Sequence, residues 1–181
     1  MSINMRIVII SIIPLAVLSQ VAFASAAGQG HGKVRVQGSI IETPCAIAAE
    51  SRDQSIDLST IPLSTLSSEG MGPAKPFTIK LLGCSPESSL KRSADWSKFS
   101  ITFDGASAQE NLFSVTGEAS GFGIQLTDSA GNIAVPGKAM PQYAITPDSM
   151  SLNYNLRLMA NQQRMRAGDY QSTIRFKMDY Y

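Results

Sequence analysis

Apolar and polar residues alternate with period two along most of the chain, the pattern of β-strands with one buried face. Val34, Val36 and Ile40 alternate with Lys33, Arg35 and Gln37. Phe77, Ile79 and Leu81 alternate with Thr78 and Lys80. Phe99, Ile101 and Phe103 alternate with Ser100 and Thr102, and Asp104-Gly105 follows as a turn signal. Phe122, Ile124 and Leu126 form a fourth run, and Leu152, Tyr154, Leu156 and Leu158 a fifth. The last run carries Tyr170, Ile174, Phe176, Met178 and Tyr180 against Gln171, Thr173, Arg175, Lys177 and Asp179. Turn residues separate the runs: Ser85-Pro86, Gly131-Asn132, Pro136-Gly137, Pro141 and Pro147-Asp148. No long segment has helical periodicity; residues 60–72 and 87–97 have room for one helical turn each. Many short strands and no repeat predict a single all-β domain, a β-sandwich.

The N-terminus departs from this pattern. Arg6 precedes an apolar run from Ile7 to Leu18, followed by Ala22-Phe23-Ala24, with Ala24-Ser25-Ala26 as a second small-x-small site. Charge, short apolar run and small-residue site in that order predict an export signal over residues 1–24. The run is shorter than the roughly 20 residues a membrane span needs, so no membrane insertion is expected after cleavage. About 155 residues remain, enough for one domain with a sizeable core.

Charge changes little. The formal net charge is +1 and the Lys and Arg residues are scattered, so no field exists to attract nucleic acid. The cysteines add more. Cys45 and Cys84 are the only two. In an oxidising compartment two thiols normally pair, and closing a loop of about 40 residues stabilises a fold by about 4 kcal/mol in the chain-entropy model. The sole histidine, His31, precedes the folded region and lacks Cys, Asp or Glu neighbours, so no metal and no cofactor is expected. With no histidine in the domain and no Gly-x-Ser-x-Gly elbow, nucleophilic triads are excluded and the chain reads as a non-enzyme. Trp96 reads as a partly buried sandwich residue.

Residues 25–32 read SAAGQGHG, small and without a packing face. Such a segment loses much entropy on ordering. It runs directly into the alternating stretch from Lys33 to Ile41, forming an arm that becomes a strand when something else supplies its partner. GQGHG is not a phosphate loop, because no strand precedes it and no helix follows.

At this point the chain resembles the subunits of chaperone–usher pili, the type 1 and P-pilus pilins. The resemblance rests on four features in order. The stretch Gly30 to Ile40 reads like a pilin N-terminal extension running into the first strand. Pro44-Cys45-Ala46-Ile47 resembles the first-cysteine motif. Cys84 follows a strand, as the second cysteine does. Gly168-Asp169-Tyr170 and the strand to Tyr180-Tyr181 place a glycine fourteen residues from the C-terminus and an aromatic in the penultimate position. The stretches Gly131 to Ala134 and Gly137 to Pro141 also look like P-pilus-type subunits, including the one that ends those fibres.

The resemblance implies an incomplete immunoglobulin-like sandwich, completed by a donor strand from a neighbour. It divides the chain into a signal (1–24), an N-terminal extension serving as donor strand (25–37) and a pilin domain (38–181). Gly30, Gly32, Val34 and Val36 would be the inward face of the donor, with the domain's own first strand beginning near Gly38. Gly168, Tyr170, Ile174, Phe176, Met178, Tyr180 and the carboxylate of Tyr181 would meet a periplasmic chaperone and then the neighbouring subunit. The implied partners are that chaperone, an outer-membrane usher and other pilus subunits, alike or different, and the implied location is the cell-surface fimbria. Main-chain hydrogen bonds would give affinity and alternate side chains specificity. Major, adaptor and terminator roles stay open. So, with less support, does a freestanding immunoglobulin-like binder that folds without help; a lectin-type tip adhesin would need a second domain for which the chain is too short.

Overall fold

The computed structural model describes residues 32–39, 42–87 and 96–181. The chain divides into two units, Met1–Ser39 and Ile40–Tyr181. In the first, residues 32–39 are exposed and form neither helix nor strand. The alternation there defines two faces but supplies no backbone partner, and a strand without one leaves its N–H and C=O groups to water. Gly38 and Ser39 are likewise not in a strand, so the strand expected from about Gly38 does not form at these two residues; Ile40 and Ile41 lie outside the described residues.

The second unit runs β1 (Ala46–Ile47), α1 (Ala49–Arg52), α2 (Leu63–Glu69), β2 (Lys75–Cys84), β3 (Lys98–Asp104), β4 (Ser107–Gln109), β5 (Leu112–Phe113), β6 (Thr116–Gly117), β7 (Phe122–Asp128), β8 (Tyr143–Ala144), β9 (Asp148–Ala160), β10 (Tyr170–Gln171) and β11 (Arg175–Tyr180). The helical turn expected within 60–72 is α2, ended by Gly70 in the left-handed conformation, whose N–H donates to the Leu66 carbonyl. Most of the other expected turn, residues 88–95, lies outside the described residues. Among the described residues no helix is long and apolar enough to cross a membrane.

One sheet has the order β1-β2-β9-β7-β5-β4, the second β11-β3-β8, and a two-stranded ribbon pairs β10 with β6. The long partners β2 and β9 run antiparallel from Lys75↔Leu156 to Cys84↔Asp148. Phe103 of the second sheet meets Tyr154 of the first edge-on, with centroids 5.0 Å apart, and Phe77 stacks on the same tyrosine at 5.4 Å. The core between the sheets includes Ile79, Leu81, Phe99, Ile101, Phe113 and Leu126. Cys45 and Cys84 form a disulfide beside β1, with Cα atoms 4.1 Å apart. Trp96 is half-buried and packs against the core.

At the turn after β7, Asp128 is buried and accepts from the N–H groups of Ala130 and Asn132, the Asn132 side chain and the Tyr143 hydroxyl. Burial pushes its carboxyl up, but these four donors together hold it below the usual carboxylate range. Burial and the Asp128 charge push the Tyr143 hydroxyl up, so it stays a proton donor.

The C-terminal run differs from the single strand its pattern predicts. It breaks at residues 172–174, and its halves serve different sheets: β10 pairs β6, while β11 pairs β3. The Ser172 hydroxyl donates to the Ser114 carbonyl at the break, an interaction that competes with ladder pairing.

Candidate functional site: a groove beside the C-terminal strand

The second sheet ends at β11, and among the described residues no strand pairs with its outer edge. The ladder fixes which groups are left over. Tyr181 and Lys98 exchange both backbone hydrogen bonds. Antiparallel pairing alternates every two residues, so Asp179, Lys177 and Arg175 also turn their backbone groups toward β3. The N–H and C=O groups of Phe176, Met178 and Tyr180 therefore face the open edge. Consistently, the Ile101 and Phe103 carbonyls point the other way, accepting from Met140 and Gly137.

The side chains show the same deficit. Phe176, Met178 and Tyr180 lie opposite Phe103, Ile101 and Phe99 in register. Those β3 residues are 2%, 0% and 0% exposed, whereas their β11 partners are only half-buried. Cover on this face is complete over β3 and fails at β11. Completing the burial of one such side chain is worth on the order of 1 kcal/mol.

A groove of about 1320 Å³ opens here. Its floor is core: Phe77, Phe103, Ile124, Leu126 and Leu156. One wall is residues 51–61 and the other residues 168–176. The first wall is tied to β2. The Lys80 N–H donates to the buried Ser51 hydroxyl at 3.0 Å, and the Gln54 amide donates to the Thr78 carbonyl at 3.0 Å. Ile56, Leu58 and Ile61 turn inward from it and pack against the core.

The second wall depends on close backbone approach. Glu118 and Ala119 donate their N–H groups to the Asp169 carbonyl. A Cβ on Gly168 would lie 2.6 Å from the Glu118 Cβ and 3.0 Å from the Ala119 nitrogen, at a φ of +152°. Only glycine fits there. Tyr170 follows, its ring edge-on to Phe122 at 5.2 Å. Burial and the nearby Asp57 carboxylate raise the Tyr170 hydroxyl, and burial raises that of Tyr180. Both are neutral phenols at physiological pH, so these two side chains offer hydrogen-bonding edges without charge.

Of the residues singled out in the sequence, Gly168, Tyr170, Ile174 and Phe176 line the groove. Met178 and Tyr180 lie further along β11 and do not line it; the Tyr180 ring sits 6.4 Å from Phe99. The main-chain oxygen of Tyr181 accepts from the N–H groups of Ser97 and Lys98, and its hydroxyl is 3.4 Å from that of Ser100. Val34 and Val36 are 89% and 88% exposed, and Gly32 is exposed with open space where a Cβ would be. Gly30 lies outside the described residues, as does the export signal. Sequence reasoning missed the wall at 51–61. Its signal was present in the alternation of Ile56 and Leu58 with Ser55, Asp57 and Ser59.

Residues 34–181 match the family described as Fimbrial protein. The PRS fimbrial minor pilin protein of Escherichia coli is 31% identical over 150 residues, covering 82% of this chain and 77% of that one. The Fimbria A protein of Serratia marcescens is 34% identical over 163 residues, covering 88% and 90%. Among solved structures, the P pilus rod subunit PapA superimposes with a TM-score of 0.68 at 19% identity, over 77% of this chain and 100% of that one. A subunit of an intact chaperone–usher pilus gives 0.67 at 21% identity, over 84% and 97%. The two structures establish likeness of fold, the family match covers almost the whole domain, and the chain belongs to the Fimbrial protein family, as a structural subunit of bacterial surface fimbriae.

Proposed function

We propose that this subunit enters its fibre by strand exchange: the groove beside β11 accepts a strand from a neighbour, and residues 25–37 are the strand it gives in return. The observation that carries this is the open edge of β11. It holds three N–H and three C=O groups at Phe176, Met178 and Tyr180, whose side chains stay half-buried while their β3 partners are fully covered. Unpaired backbone groups beside half-covered apolar side chains are costly, and an extended segment placed there satisfies both needs at once. Before assembly a periplasmic chaperone supplies that strand and an outer-membrane usher oversees its replacement, with Tyr181 and the inner face of β11 as the contact. On the donor side, Val34 and Val36 share one face of the arm and fill the groove, while Gly30 and Gly32 permit close backbone approach.

The test is a denaturing gel of material sheared from producing cells, with boiled and unboiled samples side by side. Strand-exchanged subunits open only when many hydrogen bonds break together, so the expected result is a ladder that collapses to one band on boiling. Deleting residues 25–37 removes the ladder. A single monomer band in both lanes, from wild-type chain folded without any chaperone, would overturn the reading in favour of a complete, freestanding domain.

A further inference from the structure

The face of the first sheet turned away from the core carries an arginine with little to hold. Along β9, Leu156 and Leu158 are buried in the core, so the alternation turns Arg157 and Met159 to the other side. Arg157 is half-buried there and belongs to none of the ion pairs of the described residues. Its Nε is shut away from solvent without a hydrogen-bond partner. Its Nη1 donates to a thioether, the Met71 Sδ at 3.4 Å. Sulfur is a weak acceptor, and a guanidinium bonds an oxygen that carries negative charge far more strongly.

The backbone holds Met71 at this spot. Met71 pairs with Met159 in an isolated bridge, the Gly72 N–H donates to the Leu158 carbonyl at 2.9 Å, and the Ala160 N–H donates to the Gly70 carbonyl at 2.8 Å. Met71 is also 40% exposed. Among the other described methionines, Met140 is buried and Met150, Met159, Met165 and Met178 are half-buried. An oxidant arriving from solvent therefore meets the Met71 sulfur first.

We propose that Met71 is an oxidation site whose sulfoxide the fold accepts through Arg157. The oxidant is a peroxide. The sulfur attacks one peroxide oxygen with a lone pair and the O–O bond breaks. The other oxygen leaves as hydroxide and takes the proton from the transferred oxygen, giving water. The thioether loses an electron pair and the peroxide gains it. The new sulfoxide oxygen carries negative charge beside Nη1, which then donates to oxygen in place of sulfur. In a core, the same conversion puts a polar group into apolar packing and disrupts it. Here it meets an under-partnered cation, on the sheet face opposite the groove floor. The site is separate from strand exchange and stands whether or not the subunit polymerises.

The experiment treats the exported full chain, recovered from producing cells, with a graded series of hydrogen peroxide. Peptide mass spectrometry reads the oxygen gained at each methionine, and urea unfolding followed by circular dichroism reads stability. Met71 should be oxidised about tenfold faster than the half-buried methionines. Chain oxidised at Met71 alone should unfold at a higher urea midpoint than untreated chain. In Arg157→Ala, oxidation at Met71 should bring no such gain over the same variant untreated. Met71→Leu removes the sulfur, and the same peroxide dose should leave its midpoint where it was. Comparing treated with untreated chain within each variant cancels the cost of the substitution itself. Oxidation that begins at another methionine overturns Met71 as the site. A wild-type midpoint that falls or does not move, or a gain that survives in Arg157→Ala or Met71→Leu, overturns acceptance of the sulfoxide by Arg157.

Discussion

Two single residues hold much of the geometry around the groove. Gly168 sits where a Cβ would meet the Glu118 Cβ at 2.6 Å, so Gly168→Ala must push the 168–171 segment off β6. The expected cost is about 1–3 kcal/mol, seen as a lower urea midpoint, with strand acceptance falling along with it. Asp128 acts at a distance from the groove, clamping the turn after β7 to Tyr143. Its carboxyl is lowered in the folded state, the hydrogen bonds outweighing burial. A depressed carboxyl adds stability that is present above its unfolded value of about 3.9 and is lost as pH falls through the folded one. Acid titration of stability should therefore fall below about pH 4 in the wild type and fall less in Asp128→Asn, measured by circular dichroism. Tyr143→Phe should cost about 1–3 kcal/mol at neutral pH, by leaving a buried carboxylate short of one donor.

At the scale of elements, the long strands were legible because each has one apolar face and turn residues at its ends. The runs at Phe77, Phe99, Phe122 and Leu152 appear as β2, β3, β7 and β9. The short strands β4, β5, β6 and β8 were not, since two or three residues cannot display a period. The break between β10 and β11 showed only as Ser172, a polar residue at an apolar position of the alternation, where the hydrogen-bond partner switches from β6 to β3. Periodicity reports which face is buried, never which neighbour does the burying. The same limit explains residues 33–39, whose pattern is that of a strand but which form none here. For β11 the alternation of its backbone makes a specific prediction. Met178→Pro removes an N–H that points to the open edge while sparing the ladder to β3, and proline is tolerated at such edges. The sheared-fibre ladder should shrink strongly, whereas Lys177→Ala, whose side chain points to solvent, should leave it unchanged.

At the scale of the molecule, the sandwich, the single disulfide and the family were all legible in the sequence, but the open groove only through the resemblance to pilins. An absent strand leaves no residues behind to be read; it shows only as side chains that ought to be buried and are half-exposed, as Phe176 and Met178 are beside Phe103 and Ile101. The disulfide makes the remaining prediction. With Cys45 and Cys84 separated by 39 positions in the sequence, C45S/C84S should lower stability by about 4 kcal/mol in the chain-entropy model, measured by denaturant unfolding.

That bridge also decides how the subunit behaves under tension. Under the strand exchange proposed above, a fibre pulled from its ends would load each domain through the chain that leads out of the arm, and the first strand this load reaches is β1, held to β2 by two residue pairs. Alone, β1 would peel away one rung at a time. Cys45 sits immediately before it and passes the force covalently into Cys84, at the end of β2. There the load meets the ladder to β9 lengthwise, with its rungs from Lys75 to Cys84 sharing the strain in shear. Stretched singly, the oxidised subunit should yield at high force in one event, and the reduced one should lengthen first at low force as its N-terminal segment unzips.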